Sequence, residues 1–456
     1  MPASPPVLQR RLGTADAAAV VVSNVIGSGI LITPAFIAAT APTAGALLSA
    51  WLVGGLLAFA GAMAYAELAA LRPRAGGEYV YLREAFGPLA AFLTGWTSFV
   101  AGFSGAIAAS AVGLASYLGR FVPAAADTSP LVALPIGVAT LTVSRQSLVA
   151  LAAIAALSWV HIRGLGPGRV VQNLLAVAKV VTLVAFVAVG LSFGQGSATH
   201  FAPGGATTTT VGFLMALIPV MFSYSGWNAA AYVAEEVRDP GRNVPRALAL
   251  GTAAVVVVYL ALNVLYVYAM PVPELVGLQV RVIDAAADRL FGSQVGDALA
   301  VITIFIVAGS ISAMVFAGPR VYFAMARDGL FFRRAAHVHP SYHTPAFAIA
   351  AQGLWSGVLV LSGTFGQLVD YTGFAVVLFA GIAVLGLFVL RWREPDADRP
   401  FRALGYPVAP AVFVIASLAI VVNAVISNPR PSAAGAMIIG LGVPIYFFIT
   451  RRARRR

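Results

Sequence analysis

Two short stretches of small and polar residues interrupt otherwise apolar segments of the chain. The first is NVIGSGILI (residues 24–32) and the second is FSYSGWNAA (residues 222–230). A break in a membrane helix leaves backbone N–H and C=O groups without partners, and each such group costs several kcal/mol in hydrocarbon. Glycines at a break also allow a ligand to approach the backbone. We therefore expect both breaks to face a ligand, water or protein rather than lipid.

The two breaks carry complementary binding groups. Backbone N–H groups of Ser28, Gly29 and Ile30 begin a half-helix whose positive dipole end suits a carboxylate, and the Ser28 hydroxyl adds a donor. Unwound carbonyls around Phe222 and Ser225 suit an ammonium group. An anion site opposite a cation site matches the two ends of an α-amino acid. The alternative is that these small residues only kink the helices or allow close packing.

The composition is that of a polytopic membrane protein. Hydrophobic residues make up 60% of the 456 residues, charged residues make up 10%, and the mean hydropathy is +0.88. The chain has no cysteine, which excludes a thiolate metal site and a disulfide-linked partner subunit. The N-terminal residues lack a cleavage site of small residues after a short apolar core, so we expect no cleaved signal peptide.

Apolar runs predict twelve spans, centred near residues 27, 57, 103, 154, 181, 224, 257, 308, 353, 378, 416 and 441. If both termini are cytoplasmic, 23 of the 29 basic residues lie inside and five outside. This bias predicts that orientation, in a cell inner (plasma) membrane. It also explains the net charge of +12 by contact with anionic lipid headgroups, with no nucleic acid partner.

The two breaks also indicate an internal repeat. Ser28 and Gly226 lie 198 residues apart, and the same offset superimposes the centres of spans 1–5 on those of spans 6–10 within several residues. Because five is odd, the second half must enter the membrane from the opposite side, as in many secondary transporters. The predicted fold is all-α with twelve transmembrane helices and a five-plus-five inverted repeat. Its segments are an N-terminal tail (1–12), repeats at 13–193 and 207–391, spans 11 and 12 at 404–450, and a basic tail (451–456).

Three motifs resemble the amino acid–polyamine–organocation permease superfamily, in its L-type amino acid transporter-like branch, which includes bacterial members. They are NVIGSGI in span 1, YAELAALRPRAGGEYVYLREAFG (residues 65–87) and FSYSGWNAAAYVAEEVRDPGRNVPRAL (residues 222–248). The segment after span 10 also resembles this family; its sequence is LRWREPDADRPFRALGYPVAP. The resemblance implies the LeuT-type fold with discontinuous helices 1 and 6, and amino acid transport by alternating access.

The resemblance also implies site residues. It places the substrate carboxylate at Ser28 and Gly29, and the amino group at carbonyls of Ile26, Phe222 and Ser225. The Phe222 ring would act as a gate, and the flexible Gly27 belongs to the same break. Ser225 stands where the branch commonly has glycine, which narrows the pocket. The remaining expected substrate contacts are Ile30, Asn228 behind the site, and Ala101 and Gly102 in span 3.

Lys179 in span 5 is the only lysine among the 29 basic residues. In the resembling fold this position lies beside the break in span 1 and beside span 8, where Ser310 and Ser312 offer hydroxyls. Sodium-coupled relatives of the fold bind an ion at this position. A lysine ammonium would replace that ion, so we expect transport without sodium. A lysine can lose its proton inside a protein, whereas an arginine stays charged. The alternative is an interfacial lysine that extends its ammonium to water.

We expect a secondary transporter of small or medium neutral amino acids, working as an exchanger or a proton-coupled symporter, and a monomer without cofactor. The alternatives are a cationic amino acid or polyamine antiporter, and a channel, although no continuous polar stripe is evident. An enzyme would need clustered titratable groups, which we do not find. We expect no metal site, because His337, His339 and His343 have no adjacent carboxylate.

Overall fold

The computed structural model describes residues 8–454 except 28, 137–138, 203–206, 279–280, 293–294 and 364. Nine helices in this part of the chain are long and apolar enough to cross a membrane, and a bent helix pair forms a tenth candidate span. Two shorter apolar helices, Thr210–Tyr224 and Ala346–Ser362, lie where spans 6 and 9 are predicted. The protein is therefore mostly helical and polytopic.

The first predicted span is divided into α1 (Thr14–Val25) and α2 (Gly29–Thr40). The two helices are bent by 48° at the Gly-Ser-Gly sequence. The α1 helix has no charge beyond its first turn, where Asp16 caps the backbone N–H of Gly13 at 2.7 Å. Both half-helices bury most of their apolar residues, so the break lies inside the protein.

The second interrupted span consists of α9 (Thr210–Tyr224) and the short α10 (Ala229–Tyr232), joined by the turn at residues 225–228. Gly226 has φ of +99°, a conformation that glycine adopts without strain. Pro219 lies inside α9, three residues before the exposed ring of Phe222. The chain thus unwinds at the serine-glycine pair, as the sequence predicts.

The remaining helices of the first half begin with α3 (Ala44–Leu71) and the short α4 (Glu78–Phe86). They continue with α5 (Pro88–Thr97) and α6 (Phe103–Leu118), which join through a π-helical segment, Ser98–Gly102. After them come α7 (Arg145–Ile162) and α8 (Leu165–Phe193).

The second half has a similar succession of helix lengths. It comprises α11 (Pro240–Ala269), α12 (Val272–Leu275), α13 (Val282–Phe291), α14 (Gly296–Ala317), α15 (Pro319–Arg327), α16 (Ala346–Ser362) and α17 (Phe365–Arg393). Both α8 and α17 have 29 residues, and α7 and α16 have 18 and 17. Two further helices, α18 (Val408–Ser427) and α19 (Pro429–Arg454), complete the chain.

A β-hairpin corrects the expectation of an all-α protein. Strands β1 (Pro130–Ile136) and β2 (Ala139–Ser144) pair antiparallel between α6 and α7, with Val132 opposite Val143. The segment alternates β-branched and small residues, and its paired backbone needs no helix. The sequence analysis did not predict this hairpin, because a short apolar run that contains two prolines is equally consistent with a loop.

Ion pairs connect the helix ends on one side of the protein, which we call the arginine-rich face. It carries Arg320, Arg391, Arg399 and the N-terminal segment. Arg320 Nε lies 2.7 Å from Glu236 Oε1, and both side chains are completely buried. The backbone N–H groups of Arg11 and Leu12 donate to the Glu236 carbonyl at 2.9 and 3.0 Å. The other pairs are Glu67 with Arg391 and Arg399, Glu235 with Arg327, Asp328 with Arg83, and Glu394 with Arg72.

Substitution of Arg320 by alanine tests the importance of the buried pair. Arg320→Ala leaves the Glu236 carboxylate buried without a cation, so we expect a loss of about 3–5 kcal/mol in unfolding free energy. The matched control is Arg289→Ala, which removes the exposed pair with Glu274 and should cost at most about 1 kcal/mol. Denaturant unfolding in detergent measures both. Equal losses in the two variants would contradict the structural role of the buried pair.

Candidate functional site

The two helix breaks pack directly against each other. A Cβ atom at Gly226 would lie 3.0 Å from the Cβ of Asn24, and one at Gly29 would lie 3.1 Å from the Cα of Ser223. Both glycines therefore permit a close approach of the two interrupted helices. For Gly29 this changes the predicted reason for glycine, because its missing side chain leaves space for α9 rather than for a substrate.

The backbone carbonyls freed at the first break are bound by side chains from three other helices. Lys179 Nζ on α8 donates to the carbonyls of Ser23, at 3.0 Å, and Ile26. It also donates to Ser310 Oγ on α14 at 3.1 Å. Ser310 Oγ in turn donates to the Ile26 carbonyl at 3.0 Å. The Lys179 side chain is fully buried, which rules out the interfacial alternative.

Tyr259 on α11 joins the carbonyls of both breaks. Its hydroxyl lies 2.8 Å from the Val25 carbonyl and 3.1 Å from the Ser223 carbonyl. Ser223 Oγ also lies 2.7 Å from Thr33 Oγ1 on α2. Unsatisfied carbonyls would be costly inside a membrane. These contacts remove that cost and fix the two interrupted helices relative to α11.

A cavity of about 170 Å³ lies beside the breaks. Its wall combines residues from both interrupted helices with the π-helical segment and α6, and it contains both apolar and hydrogen-bonding groups. The residues that line it are Asn24, Glu78, Ser98, Gly102, Phe103, Ala106, Phe222, Ser225, Gly226, Asn228, Tyr232, Met314, Gly373 and Val376.

Phe222 separates this cavity from a second cavity of about 460 Å³. The second cavity is formed mainly by α9, α17, α18 and the start of α19. Phe222 lines both cavities. Its side chain is 43% exposed, although the residue lies near the centre of predicted span 6. Phe222 therefore lies where the two cavities are adjacent.

Four predicted contact residues line the first cavity: Gly102, Phe222, Ser225 and Asn228. Ser28 lies outside the described residues. Ile30 and Ala101 are fully buried and do not line the cavity, and a Cβ at Gly27 would face Ser310 at 3.3 Å. The side chains of Ile30 and Ala101 therefore do not reach the cavity, and the space beside Gly27 is taken by Ser310.

Two further predicted contacts differ from the hydrogen bonds in the structure. The Ile26 carbonyl lies within hydrogen-bonding distance of Lys179 Nζ and Ser310 Oγ, so a substrate ammonium at this carbonyl would compete with those donors. Ser312 Oγ lies 2.9 Å from His161 Nε2 rather than beside Lys179. Ser310 and Ser312 are two residues apart on one helix, so their side chains point in different directions.

The π-helical segment exposes part of span 3 to the cavity. Its extra residue displaces backbone carbonyls from the helical pattern. Tyr322 donates to the Ser98 carbonyl at 3.1 Å, and Trp355 donates to the Val100 carbonyl at 2.9 Å. The segment ends at Gly102, a cavity residue. Nothing in the sequence distinguishes such a bulge from a regular helix.

The sequence analysis missed four polar residues of the wall: Asn24, Glu78, Ser98 and Tyr232. Glu78 lies in the quoted Gly-Gly-Glu-Tyr motif, and its adjacency to two glycines was the available signal. Tyr232 follows Asn228 by one helical turn, and Asn228 Nδ2 donates to its hydroxyl at 3.2 Å. In the part of the chain that the structure describes, no group of three or more His, Asp or Glu residues could hold a metal ion.

Comparisons with known proteins agree with this arrangement. A family model described as "Amino acid permease" matches residues 12–449. The b(0,+)-type amino acid transporter 1 of Mus musculus is 30% identical over 449 residues, covering 97% of this chain and 88% of the relative. The Asc-type amino acid transporter 1 of Homo sapiens is 31% identical over 449 residues, or 96% and 82% of the two chains. The Large neutral amino acids transporter small subunit 2 of Homo sapiens is 29% identical over 451 residues, or 96% and 80%.

Gly226→Ala tests whether the close contact of the two breaks holds the site. Alanine at this positive φ costs about 1–3 kcal/mol, and its Cβ would also strike Asn24. We expect a lower thermal unfolding midpoint and loss of ligand binding. The matched control is Gly113→Ala on α6, where an added Cβ meets open space. A Gly226→Ala protein as stable as Gly113→Ala would contradict this reading.

Proposed function

This chain belongs to the amino acid permease family, and we propose that it is a sodium-independent secondary transporter of small or medium neutral α-amino acids. It works by alternating access, as an exchanger or a proton-coupled symporter. The main support is the cavity beside the two packed helix breaks, which is lined by Asn24 from the first interrupted helix and by Phe222, Ser225, Gly226 and Asn228 from the second. The relatives reported above are named as amino acid transporters.

In this proposal the substrate carboxylate binds at the N-terminal end of α2, at the backbone N–H groups of Ser28 and Gly29. The amino group binds the carbonyls of Phe222 and Ser225. The Phe222 carbonyl already accepts from the Ser225 N–H at 3.0 Å, which leaves it one lone pair. Ser225 and Gly102 then face the substrate side chain from opposite walls.

Lys179 supports the proposed independence from sodium. Its ammonium binds two carbonyls of the first break and the Ser310 hydroxyl, which are the kinds of oxygen ligand that a sodium ion would use. A fixed positive charge at this position repels a second cation. The ammonium therefore takes the place of the ion and links α8 to the substrate helix.

A cationic substrate is the second candidate, because one carboxyl lines the cavity. The sequence prediction of a neutral substrate assumed that no carboxylate was available, and Glu78 corrects that assumption. Its Oε2 atom already accepts from Tyr65 at 2.9 Å and Asn228 at 3.3 Å. We keep the neutral substrate because these donors occupy the carboxyl that a cationic side chain would need.

We further propose twelve spans arranged as a five-plus-five inverted repeat, with both termini cytoplasmic in the inner membrane. The near-equal lengths of α7 and α16, and of α8 and α17, support the repeat. We propose that the protein acts as a monomer. One relative is named a "small subunit", but this chain has no cysteine for a disulfide to a partner.

Uptake into reconstituted vesicles tests the function. We expect saturable uptake of alanine-sized neutral amino acids that is stimulated by substrate inside the vesicle and is unchanged when potassium replaces sodium. A screen of all twenty amino acids then ranks competitors. Stronger competition by arginine than by alanine would favour the cationic alternative, linear flux would favour a channel, and absence of flux would refute transport.

Variants of Lys179 test the tether. Lys179→Ala leaves the carbonyls of Ser23 and Ile26 without their donor, so we expect greatly reduced or pH-insensitive uptake. Lys179→Arg should fail as well, because the planar guanidinium is larger and stays protonated. The control is Arg169→Lys at the start of α8, an exchange in a partly exposed ion pair with Asp16. Uptake by Lys179→Arg at the wild-type rate and pH profile would disprove the tether.

Ser28→Ala tests the carboxylate contact. It removes one hydroxyl donor worth about 1–3 kcal/mol to a charged acceptor, so KM for uptake should rise by roughly 5- to 150-fold. The control is Ser116→Ala, whose hydroxyl caps the Val112 carbonyl at 3.0 Å, away from the cavity. Unchanged KM in Ser28→Ala would place the carboxylate elsewhere.

A further inference from the structure

Glu78 is a buried carboxyl group whose hydrogen-bonding partners are all neutral. The carboxyls of Glu67 and Glu236 are equally buried, but each is paired with arginine. Glu78 instead accepts from the hydroxyl of Tyr65 at 2.9 Å, the amide of Asn228 at 3.3 Å and the hydroxyl of Thr94 at 3.4 Å. Among the described residues it forms no salt bridge. A buried charge without a counter-charge is costly, so such a group readily takes up a proton.

The backbone before Glu78 brings this carboxyl to the second half of the interrupted helix. The N–H of Gly76 donates to the Tyr232 carbonyl at 3.1 Å. A Cβ at Gly77 would lie 2.6 Å from the Tyr232 ring, and Gly77 has φ of +53°. Because Gly77 lacks a side chain, the loop packs directly on α10, whereas a Cβ at Gly76 would lie 2.8 Å from the Cβ of Ala324 on α15. Glu78 then reaches the cavity wall beside Asn228 and Tyr232.

The groups around α4 leave Glu78 as the titratable carboxyl at the cavity. Glu84 and Arg83 on the same helix point to Arg72 and Asp328, at the arginine-rich face. Burial raises the pKa of the Glu78 carboxyl, while the hydroxyls of Tyr65, Tyr232 and Thr94 lower it. The titratable and charged side chains that the structure describes on the elements packed around α4 are Tyr65 and Glu67 on α3, Tyr79, Tyr81, Arg83 and Glu84 on α4, Tyr232 on α10, Arg320, Tyr322 and Arg327 on α15 with Asp328 after it, and Arg391 and Arg393 on α17.

We propose that Glu78 is a proton-binding site of the transport cycle, and that its protonation state controls the contact between the α4 loop and the interrupted helix. This rests on the proposed amino acid transport. A hydronium ion that reaches the cavity gives up one proton. One O–H bond of the hydronium breaks, one O–H bond forms on the carboxylate, whose charge changes from −1 to zero, and a neutral water molecule leaves.

Protonation weakens the link between two moving parts. Hydrogen bonds to a charged acceptor are roughly twice as strong as those between neutral groups. When Glu78 gains its proton, the bonds from Tyr65 and Asn228 lose this charge assistance. The amide of Asn228 is then freer to turn towards the cavity, and α10 is held less firmly against the loop. Proton binding at Glu78 is thereby coupled to movement of the helix that binds substrate.

The experiment measures uptake of a neutral amino acid in reconstituted vesicles from pH 5 to pH 9, with Glu78→Gln, Glu84→Gln and Tyr65→Phe beside the wild type. For the wild type we expect uptake to follow the titration of one proton, with a change that approaches about tenfold per pH unit on the limb away from the midpoint. Glu78→Gln should lose this dependence. Glu84→Gln, a carboxamide exchange on the same helix, should keep it.

Tyr65→Phe tests the direction in which the pH midpoint of uptake shifts. This test does not require the Glu78→Gln protein to fold. It removes a hydroxyl that stabilises the carboxylate, so the midpoint should move to higher pH. A wild-type profile in Glu78→Gln, an unmoved midpoint in Tyr65→Phe, or a flat wild-type profile would each overturn the proposal. Absence of uptake by the wild type at every pH would instead refute the transport function.

Discussion

The structure depends on satisfying the backbone carbonyls that the break in the first span releases. A helix interrupted inside a membrane cannot turn these groups to lipid, because each would lose a hydrogen bond that nothing replaces. Lys179, Ser310 and Tyr259 supply the donors, each from a different helix. Three helices are consequently fixed around one interrupted turn. Asn24, just before the break, lines the adjacent cavity together with Ser225, Gly226 and Asn228 of the second break.

Close packing of small residues makes this arrangement possible. The Gly226 backbone lies against Asn24, and Gly29 lies against Ser223, so the two interrupted helices meet without intervening side chains. Such contacts are typical of membrane helices, where water does not drive association and packing must do so. The same contacts place the freed carbonyls of both breaks within reach of one hydroxyl, that of Tyr259. A cavity bordered by backbone follows from this geometry.

Charge is distributed unequally between the two ends of the site. At the arginine-rich face, buried carboxylates are held by arginines, as Glu236 is by Arg320. Toward the cavity, Glu78 is held only by neutral donors. A paired carboxylate keeps its charge and its position, whereas an unpaired one responds to protons. Glu78, in the segment between α3 and α5, therefore differs from the buried Glu67 and Glu236 in having no arginine partner among the described residues.

The sequence by itself determined the class of protein and the two breaks, because both depend on local composition: apolar runs and glycines at a break. The place of Lys179 beside the first break was implied by the resemblance, and the structure shows its ammonium buried there. The carboxyl of Glu78, the Ser312 contact with His161 and the occupied Ile26 carbonyl were decided only by the tertiary structure. The physical reason is that these features depend on which helix face meets which neighbour. A π-helical turn, or a shift of one residue that rotates the helix by about 100°, presents a different helix face to the neighbour without changing the hydropathy pattern. The β-hairpin was missed for a related reason, since short apolar runs do not specify a strand until they pair.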